Sequence, residues 1–324
     1  MRLQVRLGKR LRTEETSLSA IVDGHEVSIT SRNPDKPISE AQWIAFEARG
    51  FASENAARAF GEKLRFSLSI AGLCSRVGVD AGKGQALGRF NEAFLRAKGL
   101  LERHQRIAPD IHGISVTPED GNSIHLLMGM PRVTVLSDPD QFVKALEEVP
   151  TAQLAGTDEP GVLESLAMPM GFLNLALMAE DRRGQVVLAL SAIESLIRHE
   201  KWNGRQKAWI KDAASALEES GDEEMRDVAK RLRDILQYRT TLRQGVFAVL
   251  TRNGLEHLKA EWDSVYGLRS ELFHGHRSFG RTETNELARK AVDLCITVIL
   301  AIIRDEGIEL PEVATIHFKG LAES

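Results

Sequence analysis

Cysteine is nearly missing from this 324-residue sequence: Cys74 and Cys295 are the only two. That is too few for a disulfide framework or for a cysteine-based zinc centre. Long apolar runs are also missing. The longest, residues 294–303 and 166–179, fall short of the roughly 20 residues that cross a bilayer, and Pro169 interrupts the second. The first residues alternate polar and apolar, with no apolar segment leading to a small-residue cleavage site. They read as a strand, so no export signal is expected and the cytoplasm is the expected compartment. There is no internal repeat and no low-complexity tract. The stretch Asp80-Ala-Gly-Lys-Gly-Gln-Ala-Leu-Gly88 lacks both the Gly-Lys-Ser/Thr ending and the preceding strand of a phosphate-binding loop, so it reads as a connection.

What is present is the composition of a folded protein, 43% hydrophobic and 27% charged. The length suits two ordinary domains. The net charge of −4 hides an asymmetry, since residues 1–110 carry 18 Lys and Arg against 13 Asp and Glu. A bias this small is common and reads first as an ordinary solvated surface, with a basic face for phosphates as the alternative.

Periodicity divides the chain. Leu3, Val5 and Leu7 alternate with polar residues, the period of a half-buried strand. Residues 17–22 and 26–30 flank Asp23-Gly24, a pair suited to a tight hairpin turn. Trp43 to Glu47 adds a strand. Ser53 is placed to cap a helix that carries Ala56, Phe60, Leu64, Leu68 and Ala71 on one side and runs to about Arg76. A helix is expected over 91–105, strands over 110–117 and 123–136, and a short helix over 141–148. The first 155 residues thus form an α+β domain with no recognisable chemistry. Residues 150–161 are polar and turn-rich, the expected boundary. Beyond it, 161–310 reads as an all-α bundle with helices near 162–180, 185–200, 205–220, 223–237, 241–250, 255–273 and 282–306. Breaks are expected at Gly184, Gly204, Gly221, Gly254 and Gly275. Met168, Met170 and Met178 read as core filler.

The spacing Arg-x4-His occurs twice, at Arg252/His257 and Arg269/His274. Asn253-Gly254 favours a turn and should break the first pair. The second lies in Tyr266-Gly-Leu-Arg-Ser-Glu-Leu-Phe-His274-Gly-His276, where only helix-compatible residues separate Arg269 from His274. Five helical residues set the two about 140° apart. Upstream, Leu188-Ala-Leu-Ser-Ala-Ile-Glu-Ser-Leu196 is apolar except for Glu194, at the edge of a stripe of Val187, Leu190, Ile193 and Ile197. A carboxylate there needs a cation if buried, and Arg269 is the candidate. Glu271, His274 and His276 lack a further ligand at metal spacing, so no metal and no other cofactor is expected.

These two segments and the helix order resemble the Apea-like branch of the HEPN superfamily, over roughly 161–307. The resemblance implies a homodimer that cleaves RNA without metal, the ribose 2′-OH attacking the adjacent phosphate. His274 would be the acid/base and Arg269 the phosphate clamp, with Glu194, Ser270 and His276 in support. Family nucleases often carry Asn, Asp or His after the motif arginine, where this chain has Ser270. Two alternatives stay open, a non-catalytic dimerisation or sensing module and a nucleotide-binding bundle. The apolar run 295–303 reads either as a self-association surface or as the central core helix.

Overall fold

The computed structural model describes residues 1–33, 36–87, 92–99, 101–108, 110–119, 123–124, 136–149, 161–197, 202–236, 241–274 and 278–311. An antiparallel sheet comes first and helices follow.

The sheet is built outward from β1 (Arg2–Leu7), which pairs on one side with β5 (Trp43–Ala48). Its other side takes β6 (Val79–Asp80) and β9 (Ile111–Ser115). β4 (His25–Ser31) and β3 (Ser17–Val22) continue beyond β5, and β7 (Gln85–Ala86) lies outside β9. Asp23 and Gly24 both take left-handed backbone, φ 52° and 73°, the turn that the hairpin β3–β4 was expected to need. β1 has strands on both edges, and its burial departs from the half-buried alternation expected of it. Gln4 is buried along with Leu3, Val5 and Leu7, and its amide donates to Asp110, which also pairs with Arg32.

Over the sheet lies α1 (Glu54–Cys74), capped by the Ser53 hydroxyl, which accepts from the Ala56 N–H at 3.2 Å. Phe60, Leu64, Leu68 and Ala71 are buried as their spacing requires, while Ala57 rather than Ala56 completes the stripe. The helix expected over 91–105 is only α2 (Glu92–Ala97), because the chain turns at Gly99, φ 70°. Of the strand expected over 123–136, two short pieces are described. β10 (Ser123–Ile124) pairs with β8 (Arg106–Ile107), and β11 (Leu136–Ser137) with β2 (Arg10–Leu11), both parallel; residues 125–135 lie outside the described residues. The last helix of this half, α3 (Pro139–Glu148), is capped by Asp138.

The helical half comprises α4 (Gly161–Met178), α5 (Arg182–Glu194), α6 (Gly204–Glu219), α7 (Glu223–Ile235), α8 (Leu242–Arg252), α9 (Lys259–His274) and α10 (Arg281–Asp305). Gly184 does not break a helix. It sits in the first turn of α5, and the break falls before it because the Asp181 carboxylate accepts from the N–H groups of Arg183 and Gly184. The Met group divides: Met170 is buried, but Met168 is 60% exposed, on the outer face of α4. In α10 every residue from Leu294 to Ile303 is buried, packed against α4, α5 and α9. That run is the central core helix of one chain, so it gives no reason for self-association.

A single buried apolar cluster runs from Met1 to Ile308. Asn174 of α4 stitches the sheet half to the helices. Its side chain accepts from the Val79 N–H at 2.8 Å and donates to the carbonyls of Ser69 and Met170. The contact is close enough that a Cβ on Gly72 would lie 2.7 Å from Asn174 Oδ1 and 2.6 Å from Val79. Arg76 and Asp293 form an ion pair across the same junction.

Candidate functional site

The two Arg-x4-His matches differ in backbone. α8 ends at Arg252, Gly254 turns with φ 66°, and His257 sits in a short 3₁₀ turn, Glu256–Leu258, so the first pair is split. Arg269 and His274 share the uninterrupted helix α9.

On α9, Trp262, Val265 and Leu272 are buried. At about 100° per residue, Arg269 falls within that same inward stripe, four residues beyond Val265 and three before Leu272. The Arg269 guanidinium is half-buried and lies against two rings of its own helix, 5.7 Å from the Tyr266 centroid and 5.4 Å from that of Phe273. Both rings stand at angular positions between Arg269 and His274, so the guanidinium rests on the flank that leads to the imidazole. His274 is exposed in the last turn of α9. Phe273, beside it, is 42% exposed. Ser270 is half-buried; His276 and Gly275 lie outside the described residues.

Glu194 closes α5 and faces the same region. Burial pushes its carboxyl pKa up, and the positive charge of Arg269 pulls it partway back. The expected partnership is therefore an electrostatic one at a distance: among the described residues no hydrogen bond or ion pair joins the two. The buried face of α5 is Val186, Ala189, Leu190, Ala192 and Ile193 with Ile197 beyond its end, a stripe in which Val186 replaces Val187. The Cys295 thiol lies close enough to feel Glu194 and Glu261, and burial with those charges holds its pKa well above the ordinary range. Burial pushes Cys74 up to about 12, so both cysteines stay as thiols. Among the described residues, no group of three His, Cys, Asp or Glu is placed to hold a metal ion. No described helix is long and apolar enough to cross a membrane.

Tyr266 and Phe273 belong to the motif, but no role was expected of them. Their positions three residues before and four after Arg269 were the available signal, because those are the side chains a helical arginine reaches. Compared with known proteins, the chain matches no family model, no curated protein and no solved structure.

The Glu194 shift carries a pH signature. Its folded pKa lies above the ordinary 4.5, so the folded chain holds this proton more tightly than the unfolded chain does. The resulting stability is complete below 4.5 and is lost as pH rises through the folded value. Glu194→Gln removes the ionisation. The urea midpoint of the variant should therefore gain on wild type as pH climbs from 4.5 toward neutrality. A difference that stays constant with pH would show that Glu194 titrates as it does in the unfolded chain.

Proposed function

We propose that the end of α9 is the catalytic edge of a metal-independent endoribonuclease of the HEPN type. The observation that carries this reading is the last turn and a half of α9. There a cation, an exposed aromatic ring and an exposed imidazole follow one another round the helix, the Arg269 guanidinium against Phe273 and His274 next along the chain. Single-stranded RNA offers a matching series of a phosphate, a base to stack and a hydroxyl to deprotonate. In the proposed reaction His274 takes the proton from a ribose 2′-OH as that oxygen attacks the adjacent phosphorus. The bond to the 5′-oxygen breaks, and the departing oxygen takes a proton from a second imidazole in a dimer or from water. A 2′,3′-cyclic phosphate and a 5′-hydroxyl remain. Arg269 faces the extra negative charge on the phosphorane oxygens with its planar fork of donors. The rings of Tyr266 and Phe273 flank the guanidinium, and Glu194 adds an attraction at a distance.

If this is the chemistry, cleavage of a labelled single-stranded RNA should persist in excess EDTA. The 5′ fragment should resist phosphatase until acid opens its cyclic phosphate. Loss of cleavage in EDTA, restored by a divalent ion, would replace this mechanism with a metal-dependent one.

A second reading, a non-catalytic bundle, draws on the alignment of Arg269 with Trp262, Val265 and Leu272. An arginine in that stripe serves packing as well as chemistry. The two readings part on one measurement, whether the purified chain cleaves any RNA and loses that activity with His274.

A further inference from the structure

The start of a helix favours acidic side chains and disfavours basic ones, because its first N–H groups carry partial positive charge. α5 and α10 place arginine there. Arg182 and Arg183 are the first two residues of α5, and Arg281 is the first of α10. All three are exposed, and none has an ion-pair partner among the described residues. Arg182 donates only to Gln185 Oε1 of its own helix, at 2.7 Å. Helix formation gains nothing from these three cations. α5 and α10 pack against each other, and their starts come together so that all three arginines line one cavity of about 480 Å³. That is the size of a small-molecule site.

Two carboxylates, Glu180 and Asp181, share the lining. Asp181 is committed to the N–H groups of Arg183 and Gly184, which leaves Glu180 against three guanidinium groups. Positive charge continues past the rim. Lys9 follows β1 beside the end of α4, where a Cβ on the neighbouring Gly8 would lie 2.8 Å from Met178 Cγ. Burial pushes the Lys9 ammonium pKa down, and the charges of Arg76 and Arg182 push it further. Cations gathered in this way repel one another, and an anion among them relieves the repulsion. Guanidinium forks take phosphate oxygens in pairs, and Asn285, exposed in the second turn of α10, adds an amide donor to the lining. We propose that this cavity binds a small polyphosphate, a molecule carrying two or more linked phosphate groups, through Arg182, Arg183 and Arg281. The surplus of cations over carboxylates selects that class. A phosphodiester strand brings one charge per phosphate, whereas linked phosphates bring several charges into one small volume. Neither Arg269 nor His274 lines the cavity, so the proposal stands apart from the nuclease reading.

The test is titration calorimetry of the full chain with inorganic pyrophosphate, compared with sulfate at matched ionic strength. Wild type should bind one pyrophosphate saturably and melt at a higher temperature once it is bound. Arg183→Gln and Arg281→Gln should each weaken binding about 10-fold or more, the loss of one charge-assisted contact. Without ligand, both variants should melt no lower than wild type, because a cation has left the start of a helix. Arg226→Gln, at an exposed position of α7, should bind as wild type does. A nucleoside diphosphate titrated alongside decides the source. Affinity equal to or below that of pyrophosphate assigns the cavity to free polyphosphates, and tighter binding assigns it to polyphosphates that carry a base. No saturable binding by wild type at millimolar pyrophosphate would overturn the proposal. So would sulfate binding as tightly as pyrophosphate, or arginine variants that bind undiminished. Ligand-free arginine variants that melt well below wild type would make the three side chains structural, which overturns it as well.

Discussion

His274→Ala is expected to lower RNA cleavage by a factor on the order of 10²–10⁴, the usual contribution of a positioned proton-transfer group. Its melting temperature should stay near that of wild type, because the side chain is exposed at the end of α9. Arg269→Ala should abolish cleavage to a similar extent, with a cost in stability as well. Its guanidinium lies over Tyr266 and Phe273 and supplies positive charge to the half-buried Glu194. Combining Arg269→Ala with Glu194→Gln separates the two effects. The double variant should regain stability, because no carboxylate is left without its cation, and should remain inactive. Arg269→Lys keeps the charge but loses the planar fork of donors, so it should retain only a small part of the rate. The comparison pair is internal. Arg252 and His257 are both exposed and lie on opposite sides of the turn at Asn253-Gly254, and their alanine variants should cleave as wild type does. An essential 252/257 pair would overturn the assignment to α9. Four fully active variants would leave the non-catalytic bundle as the better reading.

Asn174→Leu should be the most damaging single change outside the proposed site. The side chain is about 1% exposed and fills a junction where Gly72 and Val79 leave no slack. Leucine nearly matches its volume but pairs with neither the Val79 N–H nor the Ser69 carbonyl. Each buried group left unpaired costs about 1–3 kcal/mol, so a loss of roughly 2–5 kcal/mol is expected. Because one apolar cluster spans both halves, urea unfolding followed by tryptophan fluorescence and by circular dichroism should give one transition, shifted as a unit. Two transitions, of which Asn174→Leu lowers only one, would show that the halves fold separately.

Where a structural feature depends on residues within one turn or one hairpin, the sequence determined it. Asp23-Gly24 gives the left-handed backbone of its turn, and Ser53 supplies the hydroxyl that starts α1. The helix-compatible residues between Arg269 and His274 carry α9 through both, and Asn253-Gly254 divides the other pair. These are contests among backbone conformations a few residues long, and side-chain chemistry at those residues settles them. Which face of an element is buried was decided only by what packs on it. Gln4 goes inside because β1 has strands on both edges and Asp110, itself paired with Arg32, takes up its amide. Met168 stays outside and Met170 inside because α4 meets α1, α5 and α10 along one side alone. The apolar run of α10, equally legible as an interface or a core, is a core because α4, α5 and α9 enclose it. For the same reason Arg269 faces inward against Tyr266, Phe273 and the field of Glu194. Its surroundings are set by α5, some 75 residues earlier in the chain, and contacts over that separation leave no periodic trace in a single sequence.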